Sequence, residues 1–208
     1  MHTLVSRTVR RYCWDPVRAE KLREAAVRVL TQLLEGAADR PEERRRLAPE
    51  VAHTQHLISS GLENPELVRL GLWLARYYHL SASFASARQV WEQVLEASRR
   101  LLGAEHPATL AAMNNLAQTL KAQGELGAAR ELQEQVLKTS PRVLGAKHSN
   151  TTIAAWNLWL TLHKVGDHAA AARVYEEYLE WLLERDPSTL SAGQREIREW
   201  LSRLRGGG

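Results

Sequence analysis

The 208-residue sequence has a single cysteine and no long apolar run. Cys13 has no partner for an internal disulfide, which excludes a small domain held together by disulfides. No window approaches the run of about 18 apolar residues that a membrane-spanning helix needs. Residues 1–11 contain three arginines and lack the apolar segment of a secretory signal. We therefore expect a cytoplasmic protein that makes no membrane contact.

The motifs of common enzyme classes are also missing. The sequence contains no Gly-x-x-x-x-Gly-Lys-Ser/Thr loop for nucleotide phosphates and no paired Asp/His or nucleophile motif. Glu50, His53 and His56 share one helix face at a spacing that suits metal ligation, but a site needs a further ligand and none is evident. The sequence thus predicts a protein that is not an enzyme, with no catalytic residue, metal or cofactor.

The charge balance gives a weak indication of nucleic-acid binding. Basic residues outnumber acidic ones by 28 to 24, and the formal net charge is +4. The tight arginine clusters at residues 7–11 and 44–46 have no interleaved aromatic residues and no recognition-helix pattern. Nucleic acid is therefore the least favoured partner.

One segment of the sequence repeats at a spacing of 42 residues. Residues 102–143 align with residues 144–185 without a gap and share 15 identities, including Gly103/Gly145, His106/His148, Asn115/Asn157 and Gly124/Gly166. Residues 60–101 are a weaker copy. A fixed period of this length is typical of a solenoid of stacked helices, which binds along its surface. The sequence predicts three units, at 60–101, 102–143 and 144–185.

Each unit has the pattern of two antiparallel helices, A and B. In the second unit Pro107 begins helix A, and Gly124 separates it from helix B. We expect an all-α, right-handed superhelix with an N-terminal lead-in at 15–59 and a capping helix at 186–205. The lead-in should contain a helix over 16–35 and a second from Pro41 that Pro49 bends or restarts. Residues 1–14 should be flexible or a winged-helix remnant, and 206–208 a disordered tail.

The repeat resembles a known family. Asn115-Leu116-Ala117, Leu120, Gly124, Ala129, Leu137 and Pro141 are similar to the tetratricopeptide consensus. The phrase at residues 102–110, Leu-Gly-Ala-Glu-His-Pro-Ala-Thr-Leu, resembles the 42-residue variety of kinesin light chains and bacterial signalling proteins. The first unit departs from it, with Trp73 in place of the asparagine and Ala82 in place of the glycine. The resemblance implies a non-catalytic module that binds a protein or peptide.

A second resemblance concerns the N-terminal part. Residues 1–7, Met-His-Thr-Leu-Val-Ser-Arg, and residues 47–53, Leu-Ala-Pro-Glu-Val-Ala-His, resemble phrases of bacterial NB-ARC/STAND signalling ATPases. In that family the repeats are the sensor that holds the ATPase inactive. The resemblance implies a ligand-sensing or autoinhibitory arm, with its own ATPase domain as a possible partner. The alternatives are a stand-alone scaffold and a peptide-receptor adaptor.

The A helices, which line the concave face of such a solenoid, are short of acidic residues. They carry four bases and one acid over 65–80, 107–122 and 149–164, while the B helices carry ten acids and eight bases over 83–100, 125–142 and 167–185. A concave array of positive charge attracts carboxylates or phosphates, so we expect an acidic or extended peptide as partner. The predicted groove residues are Arg69, Trp73, Arg76, Asn114, Asn115, Gln118, Lys121, Trp156, Asn157 and Lys164.

Several of these side chains have a structural alternative. Asn115 and Asn157 either bind a peptide backbone or satisfy neighbouring helix groups. Trp73 and Trp156 either form platforms in the groove or pack in the core, and the packing position of Trp159 favours the core. His106 and His148 precede helix A and are expected to cap it.

Overall fold

The computed structural model describes residues 16–34, 40–59 and 61–206. Within these ranges the regular structure consists of ten α-helices and two short 3₁₀ turns, at Glu180–Leu182 and Pro187–Thr189. The helices are α1 (Pro16–Leu34), α2 (Pro41–Arg46), α3 (Glu50–Ile58), α4 (Pro65–Leu80), α5 (Phe84–Leu102), α6 (Pro107–Gln123), α7 (Leu126–Val143), α8 (Ser149–Val165), α9 (His168–Tyr178) and α10 (Ala192–Gly206).

The helices pack in chain order from α4 to α9, as stacked pairs do. Helices α4/α5, α6/α7 and α8/α9 pack as pairs within the three predicted units, and α5 and α7 also pack on the A helix of the pair that follows. Helices α1 and α3 pack on α4, and α10 packs on α8. The predicted all-α helix-pair fold is confirmed, and the handedness of the superhelix stays a prediction.

The turns repeat with the sequence because they need special backbone conformations. Gly124 and Gly166 end the A helices in the left-handed conformation, with φ of 87° and 81°. Glycine has no Cβ to clash there, so it is the usual residue at this position. In the first unit Ala82 occupies the same register position with φ of 58°. The fold therefore keeps the turn there with a residue that is strained in it.

The A helices begin with side-chain caps. The Nδ1 atoms of His106 and His148 accept hydrogen bonds from the backbone N–H groups of Ala108 and Asn150, both at 3.1 Å. In the first unit Asn64 accepts from the N–H of Leu67 at 2.9 Å. Each cap satisfies a donor that the first turn of a helix leaves free. The prediction that the two histidines cap their helices is confirmed.

Two hydrophobic clusters form the core. One extends from α1 to α7 and includes Ala154 of α8, and the other joins the rest of the third unit to α10. The small residues Ala117 and Ala129 are fully buried in the first cluster, where the helices of the second unit meet. Trp159, which replaces Ala117 in the third unit, is buried in the second cluster. The three units and α10 thus share a nearly continuous interior.

The ends of several elements differ from the repeat pattern. Helix α9 stops at Tyr178, whereas α7 continues to Val143, and the indole N–H of Trp181 donates to the Tyr178 carbonyl at 2.8 Å. Pro49 separates α2 from α3, so the lead-in restarts there as predicted.

Helix α10 includes Gly206 of the predicted tail. The predictions for residues 1–14 and 207–208 lie outside the described residues. No helix in the described part of the chain is both long and apolar enough to cross a membrane.

Candidate binding face on the A helices

Two adjoining clefts open on the A helices. The first has a volume of about 290 Å³ and is lined by Arg76 of α4, by Asn114, Asn115 and Gln118 of α6, and by α7 and α8. The second has a volume of about 650 Å³ and lies where α4, α6 and α8 end. Gln118 lines both clefts, so a ligand that extends along this face would pass it.

The second cleft is basic. Its charged and polar lining consists of His79, Gln118, Lys121 and Lys164, and its apolar walls include Phe84 and Leu160. Burial lowers the pKa of Lys121, and the nearby Lys164 lowers it further. Three positively charged or titratable groups therefore converge in a cleft whose described lining contains no carboxylate, so a bound anion would relieve their repulsion.

His79 connects the two clefts electrostatically. Its Nδ1 atom lies 3.0 Å from the hydroxyl of Thr119, and its ring packs edge-on against Phe84. Burial lowers the pKa of His79, with further contributions from the positive charges of Arg76 and Lys121. The lowered pKa favours the neutral form of this imidazole near neutral pH.

Asn157 and Asn115 have different roles: Asn157 joins two helices, and Asn115 lines the first cleft. The side-chain amide of Asn157 donates to Oδ1 of Asn114 at 3.1 Å, and Asn157 is only 6% exposed. The two residues join the A helices of the second and third units, which is the structural alternative for Asn157. Asn115 is half-buried and lines the first cleft, and its amide makes no hydrogen bond to the described residues. Asn115 is thus better placed than Asn157 to bond a peptide backbone.

The tryptophans lie mainly in the core. Trp73 and Trp159 are each 8% exposed, and Trp73 stacks on Tyr77 with ring centres 5.3 Å apart. Trp156 is half-buried, stacks on Trp159 at 5.0 Å and meets the edge of Trp200 at 4.8 Å. None of these rings is in the lining of either cleft. The prediction that Trp159 packs in the core is confirmed, and Trp73 shares this role.

The structure brings six of the ten predicted residues to the clefts: Arg76, Asn114, Asn115, Gln118, Lys121 and Lys164. The other four, Arg69, Trp73, Trp156 and Asn157, do not line them. Sequence reasoning missed His79 and Asn150. The repeat register contained a signal for His79, because this residue stands 42 positions before Lys121.

In the described part of the chain, no group of three or more His, Cys, Asp or Glu side chains is placed to hold a metal ion.

The B helices have a different electrostatic character. Arg88 forms ion pairs with Glu92 of its own helix and Glu125 of the next unit, at 2.8 and 2.6 Å. Arg130, one repeat later, pairs in the same way with Glu134 and Asp167. Acids and bases on this side neutralise each other within the protein. By contrast, no carboxylate is among the residues that line the cleft beside Lys121 and Lys164 on the A helices.

Comparison with known proteins agrees with this architecture. Residues 68–142 match the tetratricopeptide repeat family. The matched segment is 75 of the 208 residues and covers the first two units from within α4 to near the end of α7. The chain is 31% identical over 93 residues to tetratricopeptide repeat protein 19, mitochondrial, of Mus musculus. That alignment covers 44% of this chain and 23% of the mouse protein.

Solved structures share the fold over nearly the whole chain. One holds nearly identical tetratricopeptide-like repeats of a Podosopora anserina protein named as a kinesin light chain, with a TM-score of 0.60 and 23% identity, covering 93% of this chain and 96% of that one. Another is BtubC (BKLC) from P. vanneervenii, with a TM-score of 0.61 and 21% identity, covering 97% and 87%. At these identities the similarity establishes the helix-pair repeat fold.

Proposed function

We propose that this chain is a non-catalytic protein-binding module whose A-helix clefts hold an acidic, extended segment of a partner protein. The observation that carries the proposal is the convergence of His79, Lys121 and Lys164 in one cleft. A carboxylate entering it gains charge-assisted hydrogen bonds in a partly desolvated site. The adjoining cleft offers the Asn115 amide to the backbone of the same segment.

The apolar walls refine the expected ligand. Leu80, Phe84 and Leu160 line the basic cleft beside the lysines. A segment that alternates acidic and aliphatic side chains would place the carboxylates on the cations and the aliphatic groups on these walls. Extended backbone suits this arrangement because successive side chains point to opposite sides.

Site-specific cross-linking tests the proposal directly. A photoreactive amino acid in place of Gln118, which borders both clefts, should cross-link partner peptides rich in Asp and Glu from a native lysate. The matched control places the same amino acid at Gln135, an exposed position on the B helix α7. Equal cross-linking from both positions, or cross-linked peptides without excess acid, would contradict binding at the A-helix clefts.

The sensor arm of a bacterial STAND-type ATPase is the finer form of this proposal. It is supported by the sequence phrases at residues 1–7 and 47–53, the first of which lies outside the described residues. Under this proposal the clefts hold either a ligand or a segment of the ATPase domain. The test is the genomic reading frame: a nucleotide-phosphate loop encoded upstream in the same frame supports the sensor, and its absence favours a stand-alone scaffold or adaptor.

A further inference from the structure

The hydrogen bonds around His79 determine which of its ring nitrogens carries a hydrogen. The hydroxyl of Thr119 donates its one hydrogen to the carbonyl oxygen of Asn115, at 3.1 Å. The hydroxyl oxygen lies 3.0 Å from Nδ1 of His79 and can only accept there, so Nδ1 carries the hydrogen. Thr119 is fully buried, so bulk water does not compete for these two bonds. In the neutral imidazole the other nitrogen, Nε2, is therefore a bare acceptor.

This acceptor lies in a cleft whose other charged lining groups are cations. His79 lines the basic cleft with Lys121 and Lys164, and its Nε2 atom makes no hydrogen bond to the described residues. The charges that act on the ring are those of Lys121 on α6 and Arg76 on its own helix, while α5 contributes the uncharged ring of Phe84. A ligand in the cleft therefore meets two ammonium donors and one lone pair.

The lone pair of Nε2 discriminates between kinds of anion. A glutamate carboxyl has a pKa of about 4.3, so at pH 7 it can bind the lysines but has almost no proton to donate to Nε2. A phosphomonoester has a second pKa of about 6 and keeps that proton in roughly one molecule in ten at pH 7. Its P–OH group can donate to Nε2 while its other oxygens accept from the two lysines. A phosphodiester of nucleic acid has no such proton and is disfavoured.

The other position of the shared proton leads to the same ligand. With the proton on Nε2, a doubly charged phosphate contacts three cations, whereas a carboxylate offers them a single charge. Burial, Arg76 and Lys121 lower the pKa of His79, and a doubly negative ligand offsets the two positive charges more fully than a singly negative one. In either position, one proton lies between Nε2 and the phosphate.

We propose that the basic cleft binds a phosphorylated serine or threonine of the partner segment, held by Lys121 and Lys164 and sharing one proton with Nε2 of His79. This inference rests on the proposed function, because the rest of the segment still passes Gln118 into the adjoining cleft. Neighbouring side chains of the segment cover the apolar walls of the basic cleft, which a small phosphomonoester would leave bare.

Three labelled peptides of alternating Glu and Leu, which differ only in a central Ser, Glu or phosphoserine, provide the test. Fluorescence anisotropy with the full chain at pH 7 should show binding at least about tenfold tighter for phosphoserine than for Glu. Equal affinity for phosphoserine and Glu would overturn this inference and leave the proposed function intact. Absence of saturable binding by all three peptides up to about 1 mM would overturn both.

Variants of the chain locate the binding site. His79→Phe keeps a planar ring beside Phe84 but has no nitrogen, and it should reduce the preference for phosphoserine over Glu to less than about threefold. Lys121→Gln should weaken phosphoserine binding by about tenfold or more, whereas the matched Lys138→Gln, on the exposed side of α7, should leave it unchanged. An undiminished preference in a His79→Phe protein with unchanged circular dichroism would overturn the proposal, and so would equal losses in the two lysine variants.

Two competitors distinguish the source of the phosphate. N-acetyl-phosphoserine amide should bind at least about tenfold more weakly than the phosphopeptide, because it leaves the apolar walls and the adjoining cleft empty. A single-stranded oligonucleotide without a terminal phosphate should also compete more weakly than the phosphopeptide at equal concentration. Comparable binding by either competitor would overturn a phosphorylated protein segment as the ligand.

Discussion

The first prediction concerns Gln133, a polar residue buried on helix α7. This side chain is completely buried, and neither its Oε1 nor its Nε2 atom has a hydrogen-bond partner. The corresponding residue of the first unit is Trp91, also buried, which shows that the register position belongs to the core. We predict that Gln133→Met stabilises the protein, because the thioether has a similar shape and needs no hydrogen bond.

The size of the effect follows from the two unsatisfied groups. A buried polar group without a partner costs about 1–3 kcal/mol, and part of this cost is recovered if the surroundings relax. We expect Gln133→Met to raise the free energy of unfolding by about 1–3 kcal/mol. In a chain of this size that corresponds to an increase in Tm of about 2–4 °C per kcal/mol.

Urea denaturation followed by circular dichroism provides the assay. Gln135→Met is the matched control, since Gln135 lies two residues away on the exposed side of α7, and its effect should stay within about 0.5 kcal/mol. A Gln133→Met protein of equal or lower stability would refute the reasoning. It would mean that the amide is satisfied in solution, for example by a buried water.

Three further predictions concern the first unit. Ala82→Gly should raise the free energy of unfolding by about 0.5–1 kcal/mol, because glycine removes the strain of a positive φ, and urea denaturation showing a loss would contradict it. Gly71→Ala should lower the free energy of unfolding by about 1–3 kcal/mol, because a Cβ there would lie 2.7 Å from Cγ2 of Val94. An unchanged urea midpoint would contradict the close packing of α4 on α5. The pKa of His79 in the folded protein is lowered by burial, Arg76 and Lys121, so the unfolded chain binds a proton there more readily than the folded one. The contribution of His79 to stability should therefore fall as the pH drops below about 6.5. His79→Gln should flatten the difference in unfolding free energy between pH 7.5 and 5.5, and an unaltered difference would contradict this assignment.

The repeat pattern predicted those features that recur in every unit. Gly124, Gly166, His106 and His148 stand at fixed register positions, and their roles in turns and caps follow from local backbone chemistry. The repeat register also placed Ala82 at the position of the turn glycine, 42 residues before Gly124. These features need no knowledge of which helices touch, so the sequence is sufficient for them.

Features of the site that differ between the units were harder to predict from the sequence. The Asn157 to Asn114 bond joins adjacent, non-equivalent register positions, and only the stacking of α6 and α8 brings them together. Trp73 is buried in the core and stacks on Tyr77, and Trp181 donates a hydrogen bond to the Tyr178 carbonyl where α9 ends early. Each of these contacts involves a side chain that the other units do not have at the same repeat position, so the 42-residue period does not predict it.

The central claim is that the bases on the A helices bind acidic partners, and one affinity ratio tests it most directly. Arg76, Lys121 and Lys164 are changed together to Gln, and the matched control neutralises three exposed bases on the B helices, Arg99, Lys138 and Arg173. The probe is a short fluorescent peptide of alternating Glu and Leu, with the Gln and Leu peptide as the uncharged comparison. We predict that the A-helix triple weakens Glu/Leu binding by about tenfold or more while the B-helix triple changes it by less than about threefold, which are differences of about 1.4 and 0.7 kcal/mol. Equal losses in the two triples would show that net charge alone attracts the peptide and would contradict the account.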